Sequence, residues 1–191
     1  AEAQDLINAV ADVDAMIVRS DKVTPAVLEA AGKLKIVVRA GAGFDNIDLA
    51  VSKERGVVVE NTPGQNSNAV AELAIAMMIY MCRNQFTPVS GSEISGKRLG
   101  IQAFGNVGRL VGKKAEALGM SVLAVDPFIP AEKIAEAGAT PVASVKELYA
   151  NSDFVSVHIP ATPETIGSIN YELITSMPKG ATLVNTARKE V

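Results

Sequence analysis

The residues best placed to do chemistry form one run, Leu99-Gly100-Ile101-Gln102-Ala103-Phe104-Gly105-Asn106-Val107-Gly108-Arg109, followed by Val122-Leu123-Ala124-Val125-Asp126. The order is strand, glycine-rich turn, helix, second strand, acid. Glycines in such a turn let the backbone approach a pyrophosphate, whose charge is met by unsatisfied N–H groups and the positive end of the helix dipole. Gly105 and Gly108 fill the second and third positions of the G-x-G-x-x-G pattern, and Asp126 stands about 20 residues on, where a carboxylate accepts hydrogen bonds from ribose hydroxyls. The first position holds Ala103, which such a turn accepts only where its backbone angles stay open to alanine. The competing reading is that the glycines serve helix–strand packing alone, but strand, helix, spacing and acid all agree on a dinucleotide site. Asp126 is followed by Pro127-Phe128 with no Arg or Lys beside it. A 2′-phosphate would meet an uncompensated carboxylate there, so NAD is favoured over NADP.

Three further strand ends carry functional side chains. Val38-Arg39-Ala40-Gly41-Ala42-Gly43-Phe44-Asp45-Asn46-Ile47-Asp48 places glycines after an apolar strand, where free N–H groups can cradle a small carboxylate. A tight turn capped by Asp45 or Asn46 explains the same residues equally well. Val155-Ser156-Val157-His158-Ile159-Pro160 contains the one histidine of the chain. A lone His between an apolar strand and a Pro is more often packed or backbone-anchored than catalytic, and a place at a cofactor edge suits it better. Leu183-Val184-Asn185-Thr186-Ala187-Arg188 ends in a guanidinium, a fork of donors suited to a carboxylate and to a ketone oxygen that gains charge; a solvated arginine is the alternative.

The elements that must position these residues alternate along the chain, the signature of strand–helix units and a parallel sheet covered on both faces. Strands are expected at 15–18, 35–38, 57–59, 99–102, 122–125, 154–157 and 182–184, and helices at 25–31, 68–83, 107–118, 131–137, 145–150 and 171–176. The Pro/Ser/Gly-rich stretch Thr87–Glu93 reads as a boundary, dividing the chain into a substrate-binding lobe 1–92, which includes the interlobe helix 68–83, and a dinucleotide-binding lobe 93–191. At 191 residues, 48% apolar and 20% charged, the chain is globular and neither fibrous nor disordered. A net charge of −3 argues against a nucleic-acid partner. The longest apolar stretch, Ala69–Cys82, is short of the roughly 20 residues a bilayer requires. One cysteine forms no internal disulfide, which suits a reduced, cytoplasmic setting, and no metal site is expected.

These motifs together, with Asn61-Thr62-Pro63-Gly64-Gln65-Asn66-Ser67 leading into Val70-Ala71-Glu72-Leu73, resemble the NAD-dependent D-2-hydroxyacid dehydrogenases, and in particular their phosphoglycerate-oxidising branch. The resemblance implies two Rossmann-like lobes and hydride transfer from 3-phosphoglycerate to NAD, giving 3-phosphohydroxypyruvate for serine biosynthesis. It implies that Gly41, Ala42 and Gly43 hold the substrate carboxylate, with Ala42 also near the nicotinamide, and that Arg19 and Ser20 lie near the substrate phosphate. Gly105, Asn106, Val107 and Gly108 would serve the pyrophosphate, Asp126 the ribose, and His158, Ile159 and Pro160 the adenine side. Thr186 and Ala187 would border the nicotinamide, and Arg188 would orient the substrate and polarise its carbonyl. A homodimer or higher homo-oligomer is the family expectation.

The family's catalytic histidine and its glutamate partner fall downstream of the arginine motif, and its first strand and helix precede the chain, so an internal piece without turnover of its own is expected, both lobes incomplete. The alternatives are a dehydrogenase of another D-2-hydroxy acid and an NAD-sensing module without chemistry.

Overall fold

A computed structural model describes residues 3–191, so residues 1 and 2, the expected start of the first lobe, lie outside it. The chain divides into two units at Asn66/Ser67.

The first unit runs α1 (Ala3–Ala9), β1 (Ala15–Val18), α2 (Pro25–Ala30), β2 (Ile36–Arg39), α3 (Leu49–Glu54), β3 (Val58–Asn61). Its three strands are parallel in the order β1-β2-β3, with Val18, Arg39 and Asn61 side by side at the carboxyl edge. Pro25 opens α2 behind Thr24, whose hydroxyl accepts the Val27 N–H at 3.4 Å, and Asp48 caps α3 by accepting the Val51 N–H at 2.9 Å. The helices cover one face of the sheet around Val18, Val27, Leu28 and Val37. On β1 the alternate residue Ile17 is 77% exposed, so that face of the strand is open to solvent among the described residues.

The second unit opens with α4 (Ser67–Cys82) and continues β4 (Arg98–Gln102), α5 (Asn106–Ala117), β5 (Ser121–Val125), α6 (Ala131–Glu136), β6 (Thr140–Pro141), α7 (Val145–Ala150), β7 (Phe154–Val157), α8 (Tyr171–Thr175), β8 (Thr182–Asn185). All five strands are parallel in the order β6-β5-β4-β7-β8. Its core forms two layers, one holding Leu99, Ile101, Phe154 and residues of α4, α5 and α6, the other Val155, Val157 and residues of α7 with Leu173 of α8. Every residue of β7 is therefore buried, as a strand covered on both faces requires.

The expected boundary near residue 92 is corrected by this division. Ala71, Ala74, Ile75 and Met78 of α4 share the core of Leu99, Ile101 and Val111, so the helix belongs wholly to the second unit. Residues 87–93 are a loop folded back onto that helix, with the Ser92 N–H on the Cys82 carbonyl at 2.7 Å and Asn84 Nδ2 donating to the Ser90 carbonyl at 3.0 Å. Between them Asn84, Gln85 and Phe86 form a left-handed turn (φ 50°, 58° and 57°), which L-residues seldom adopt in succession. Among the described residues no helix is long and apolar enough to cross a membrane.

Candidate functional site

Register brings the predicted site residues of the second unit to one edge. Val125, Gln102, Val157 and Asn185 pair across four neighbouring strands, so Asp126, Ala103, His158 and Thr186, one residue beyond each, line the same carboxyl edge. Backbone bonds extend the alignment past the ladder, from the Ala103 N–H to the Val125 carbonyl and from the His158 N–H to the Gln102 carbonyl, each 3.0 Å. From β4 the chain proceeds towards β5 and β6, and from β7 towards β8. The crevice between β4 and β7 is thus the topological switch point, where open α/β sheets take their ligands.

The glycine-rich turn is shaped for an anion. The N–H groups of Gly105, Asn106 and Val107, at the start of the twelve-residue α5, donate to nothing among the described residues. A Cβ on Gly105 would meet no atom within 4 Å, leaving open space above those donors. A Cβ on Gly108 would overlap the Ala103 carbonyl oxygen and come 3.0 Å from Ile101 Cγ2, so α5 sits this close to β4 only with glycine there. Both oxygens of Asp126 accept backbone N–H groups at 2.8 Å, Oδ2 from Phe104 and Oδ1 from Phe128, tying the carboxylate to the turn it faces. Arg109 Nε closes the turn onto the Phe104 carbonyl at 3.1 Å. Ala103 departs from expectation: its φ is 75°, in the left-handed region that disfavours a Cβ. The Val125 carbonyl on one side and α5 against its own carbonyl on the other hold it there.

At the β7–β8 side His158 is an uncharged ring. Burial lowers its pKa to about 4, and its nitrogens face Ser156 Oγ at 2.9 Å and Thr186 Oγ1 at 3.3 Å. Ile159 turns its side chain into the core with Leu148 and Tyr149, so only Pro160 of the next two residues is exposed at the edge. The turn after β8 is closed by Asn185, whose Oδ1 accepts the Ala187 N–H at 2.9 Å and whose Nδ2 donates to the Arg188 carbonyl at 2.8 Å. Arg188 Nη1 donates to the Ala187 carbonyl at 3.0 Å.

In the first unit Arg19, Ser20 and Gly41–Gly43 follow β1 and β2 at their shared carboxyl edge. Gly41 is buried and donates its N–H to the Arg39 carbonyl at 2.8 Å, while the N–H groups of Ala42 and Gly43 donate to nothing among the described residues. A carboxylate cradle here therefore has two free backbone donors, not three. With φ at 153° Gly41 is strained for any larger residue, and the Arg39 guanidinium would have to move to make room for a Cβ.

Sequence reasoning missed one buried pair. Tyr149 donates its hydroxyl to Gln102 Oε1 at 2.8 Å beneath the turn, and burial pushes the phenol pKa up. The signal was a glutamine inside an otherwise apolar strand. Gln102 also lines a cavity of about 280 Å³ with Ser168, Asn170 and Leu173. Among the described residues no cluster of three or more His, Cys, Asp or Glu is placed to hold a metal.

Strand order, free helix N-terminus and tethered acid define a dinucleotide-binding unit of the Rossmann type. Residues 72–191 match the model of the D-isomer specific 2-hydroxyacid dehydrogenase NAD-binding domain, and the chain belongs to that family, with NAD as cofactor. The chain is 39% identical to D-3-phosphoglycerate dehydrogenase of Methanocaldococcus jannaschii over 97% of its own length and 38% of that protein's. It is 40% identical to hydroxypyruvate reductase of Thermotoga maritima, covering 98% of this chain and 64% of that one. Cofactor(NAD+)-bound 3-phosphoglycerate dehydrogenase of Entamoeba histolytica superposes with a TM-score of 0.91 at 45% identity, over 100% of this chain and 61% of that one. D-lactate dehydrogenase of Escherichia coli superposes at 0.86 with 28% identity, covering 98% of this chain and 64% of that one.

Proposed function

We propose that the chain is part of an enzyme oxidising the hydroxyl of 3-phosphoglycerate to the ketone of 3-phosphohydroxypyruvate, as serine biosynthesis requires. The observation that supports NAD binding most strongly is the Asp126 carboxylate tied to the glycine-rich turn beside three unsatisfied N–H groups. Gly105, Asn106, Val107 and Gly108 take the pyrophosphate, Asp126 the adenosine ribose, and Pro160 with the His158 and Ile159 backbone the adenine side. Thr186 and Ala187 border the nicotinamide. NAD held there would supply the hydride acceptor for the substrate carbon. Arg188 orients the substrate and stabilises charge at its oxygen, a task its five N–H donors suit. Ala42 and Gly43 supply N–H groups to the carboxylate, and Arg19 and Ser20 serve the phosphate.

His158 does not act as the acid–base group. With burial holding its pKa near 4 and both ring nitrogens facing hydroxyls, it is a poor proton acceptor at neutral pH. The recurrence of phosphoglycerate dehydrogenases among the relatives favours the phosphorylated substrate, while the hydroxypyruvate reductase relative keeps another D-2-hydroxy acid as the second reading. Titrating the NADH-loaded chain with 3-phosphohydroxypyruvate, hydroxypyruvate and pyruvate decides between them. The phosphorylated keto acid should bind at least tenfold more tightly, and equal binding of all three rejects the phosphoglycerate assignment. The proposed setting is cytoplasmic, and the proposed assembly a homodimer or higher homo-oligomer. It is supported by the exposed Leu73, Met77, Tyr80 and Met81 of α4 and tested by sedimentation equilibrium.

A further inference from the structure

The imidazole of His158 is held at both nitrogens by hydroxyl groups. The β7–β8 ladder ends where Val157 pairs with Asn185. One residue further on, the ring continues the seam by side chain. Its Nδ1 stands 3.3 Å from Thr186 Oγ1 on the β8 side and its Nε2 2.9 Å from the buried Ser156 Oγ on its own strand. A neutral ring has one donor nitrogen and one acceptor, and hydroxyls at both ends satisfy either tautomer. Ser156 thus anchors the ring and the ring anchors Thr186. Thr186 in turn begins the short loop that Asn185 closes through the Ala187 N–H and the Arg188 carbonyl.

We infer that His158 is a positioning residue whose imidazole clamps the carboxyl end of β7 to the Thr186–Arg188 turn, holding that turn in register for the nicotinamide half of the cofactor. The inference rests on the proposed placing of Thr186 and Ala187 beside the nicotinamide. It separates the two roles of the 158–160 segment: the backbone and Pro160 face the edge, and the imidazole turns away to brace the neighbouring strand end.

The test compares NADH with ADP-ribose, which has the adenosine diphosphate and ribose but no nicotinamide. In His158→Ala, NADH affinity should fall about fivefold, the factor for one net hydrogen bond, while ADP-ribose affinity stays within about twofold. His158→Asn, whose amide nitrogen falls near the Nδ1 position, should restore much of the NADH affinity. If His158→Ala does not fold, Thr186→Val removes the other end of the same contact and should likewise speed amide exchange at Ala187, and unchanged exchange there overturns the clamp. Equal losses for both ligands, or no loss of either, overturn the clamp. Amide exchange at Ala187 gives a readout independent of cofactor: faster exchange in His158→Ala upholds the clamp and unchanged exchange overturns it. A wild-type chain that binds neither ligand refutes the cofactor assignment, and exchange at Ala187 still decides the clamp.

Discussion

Gly105 and Gly108 lie three residues apart, yet alanine at each should act on the chain in a different way. At Gly105 an added Cβ meets open space, and φ of −74° with ψ of −153° is close to what alanine accepts. As an N-cap, alanine is poorer than glycine, so the fold should lose about 0.5–1 kcal/mol. The methyl nevertheless fills the space through which a pyrophosphate reaches the N–H groups of α5. Loss of one charge-assisted hydrogen bond, about 1.5–3 kcal/mol, weakens NADH by at least about tenfold. At Gly108 the Cβ overlaps the Ala103 carbonyl, whereas carbon–oxygen contacts settle near about 3.3–3.6 Å, so α5 must retreat from β4 by about 1 Å. Overpacking of that kind costs about 1–3 kcal/mol, offset in part by the roughly 0.5–1 kcal/mol that alanine gains over glycine inside a helix. The net is about 1 kcal/mol of lost stability, with NADH binding weakened as well because the donors move with the helix. Urea unfolding and NADH fluorescence titration of both variants measure these effects. A Gly105→Ala chain that binds NADH as wild type does, or a Gly108→Ala chain of unchanged stability, refutes the reasoning at that position.

Three further outcomes follow from the same edge. Ala103→Gly removes a left-handed alanine worth about 1–2 kcal/mol of strain against about 0.4–1 kcal/mol of added unfolded-state entropy, so thermal unfolding should rise by a few degrees; a fall contradicts the strained geometry. Asp126→Ala frees the Phe104 and Phe128 N–H groups and removes the charge opposing a 2′-phosphate, so the preference for NADH over NADPH should narrow by about tenfold or more in paired titrations. The folded pKa of His158 lies near 4 against 6.5 for the free ring, so the unfolded chain binds the extra proton between those values and stability falls as pH drops through that window. Between pH 7 and pH 5 this amounts to about 2 kcal/mol, seen as a urea-midpoint difference between wild type and His158→Gln that shrinks on acidification.

The second unit was the more legible half. Its strands are apolar runs stopped by Gly, Asp or Pro, and the spacing from Gly108 to Asp126 already implied a carboxylate at the turn. What the sequence concealed is where backbone groups are committed. Nothing in Arg39-Ala40-Gly41 signals that the Gly41 N–H is spent on the Arg39 carbonyl, and nothing in Ile101-Gln102-Ala103 signals an alanine at φ 75°, since both follow from how neighbouring elements press on the turn. Residues 87–93 have linker composition but fold back onto α4, because helix and loop share hydrogen bonds that composition does not record. Helices α1 and α3 were not expected although α2, α6 and α7 are no longer than these, and Asp48, which caps α3, reads as the end of the glycine cluster. The two-residue β6 carries Pro141 and lacks the run of β-branched residues that marks the other strands.

Titration of the 191-residue chain with NADH and NADPH, followed by nicotinamide fluorescence, tests the central claim most directly. The account predicts saturable binding of one NADH per chain, at least about tenfold tighter than NADPH and weakened by Gly105→Ala. Absence of saturable NADH binding, or NADPH bound equally well, would contradict it.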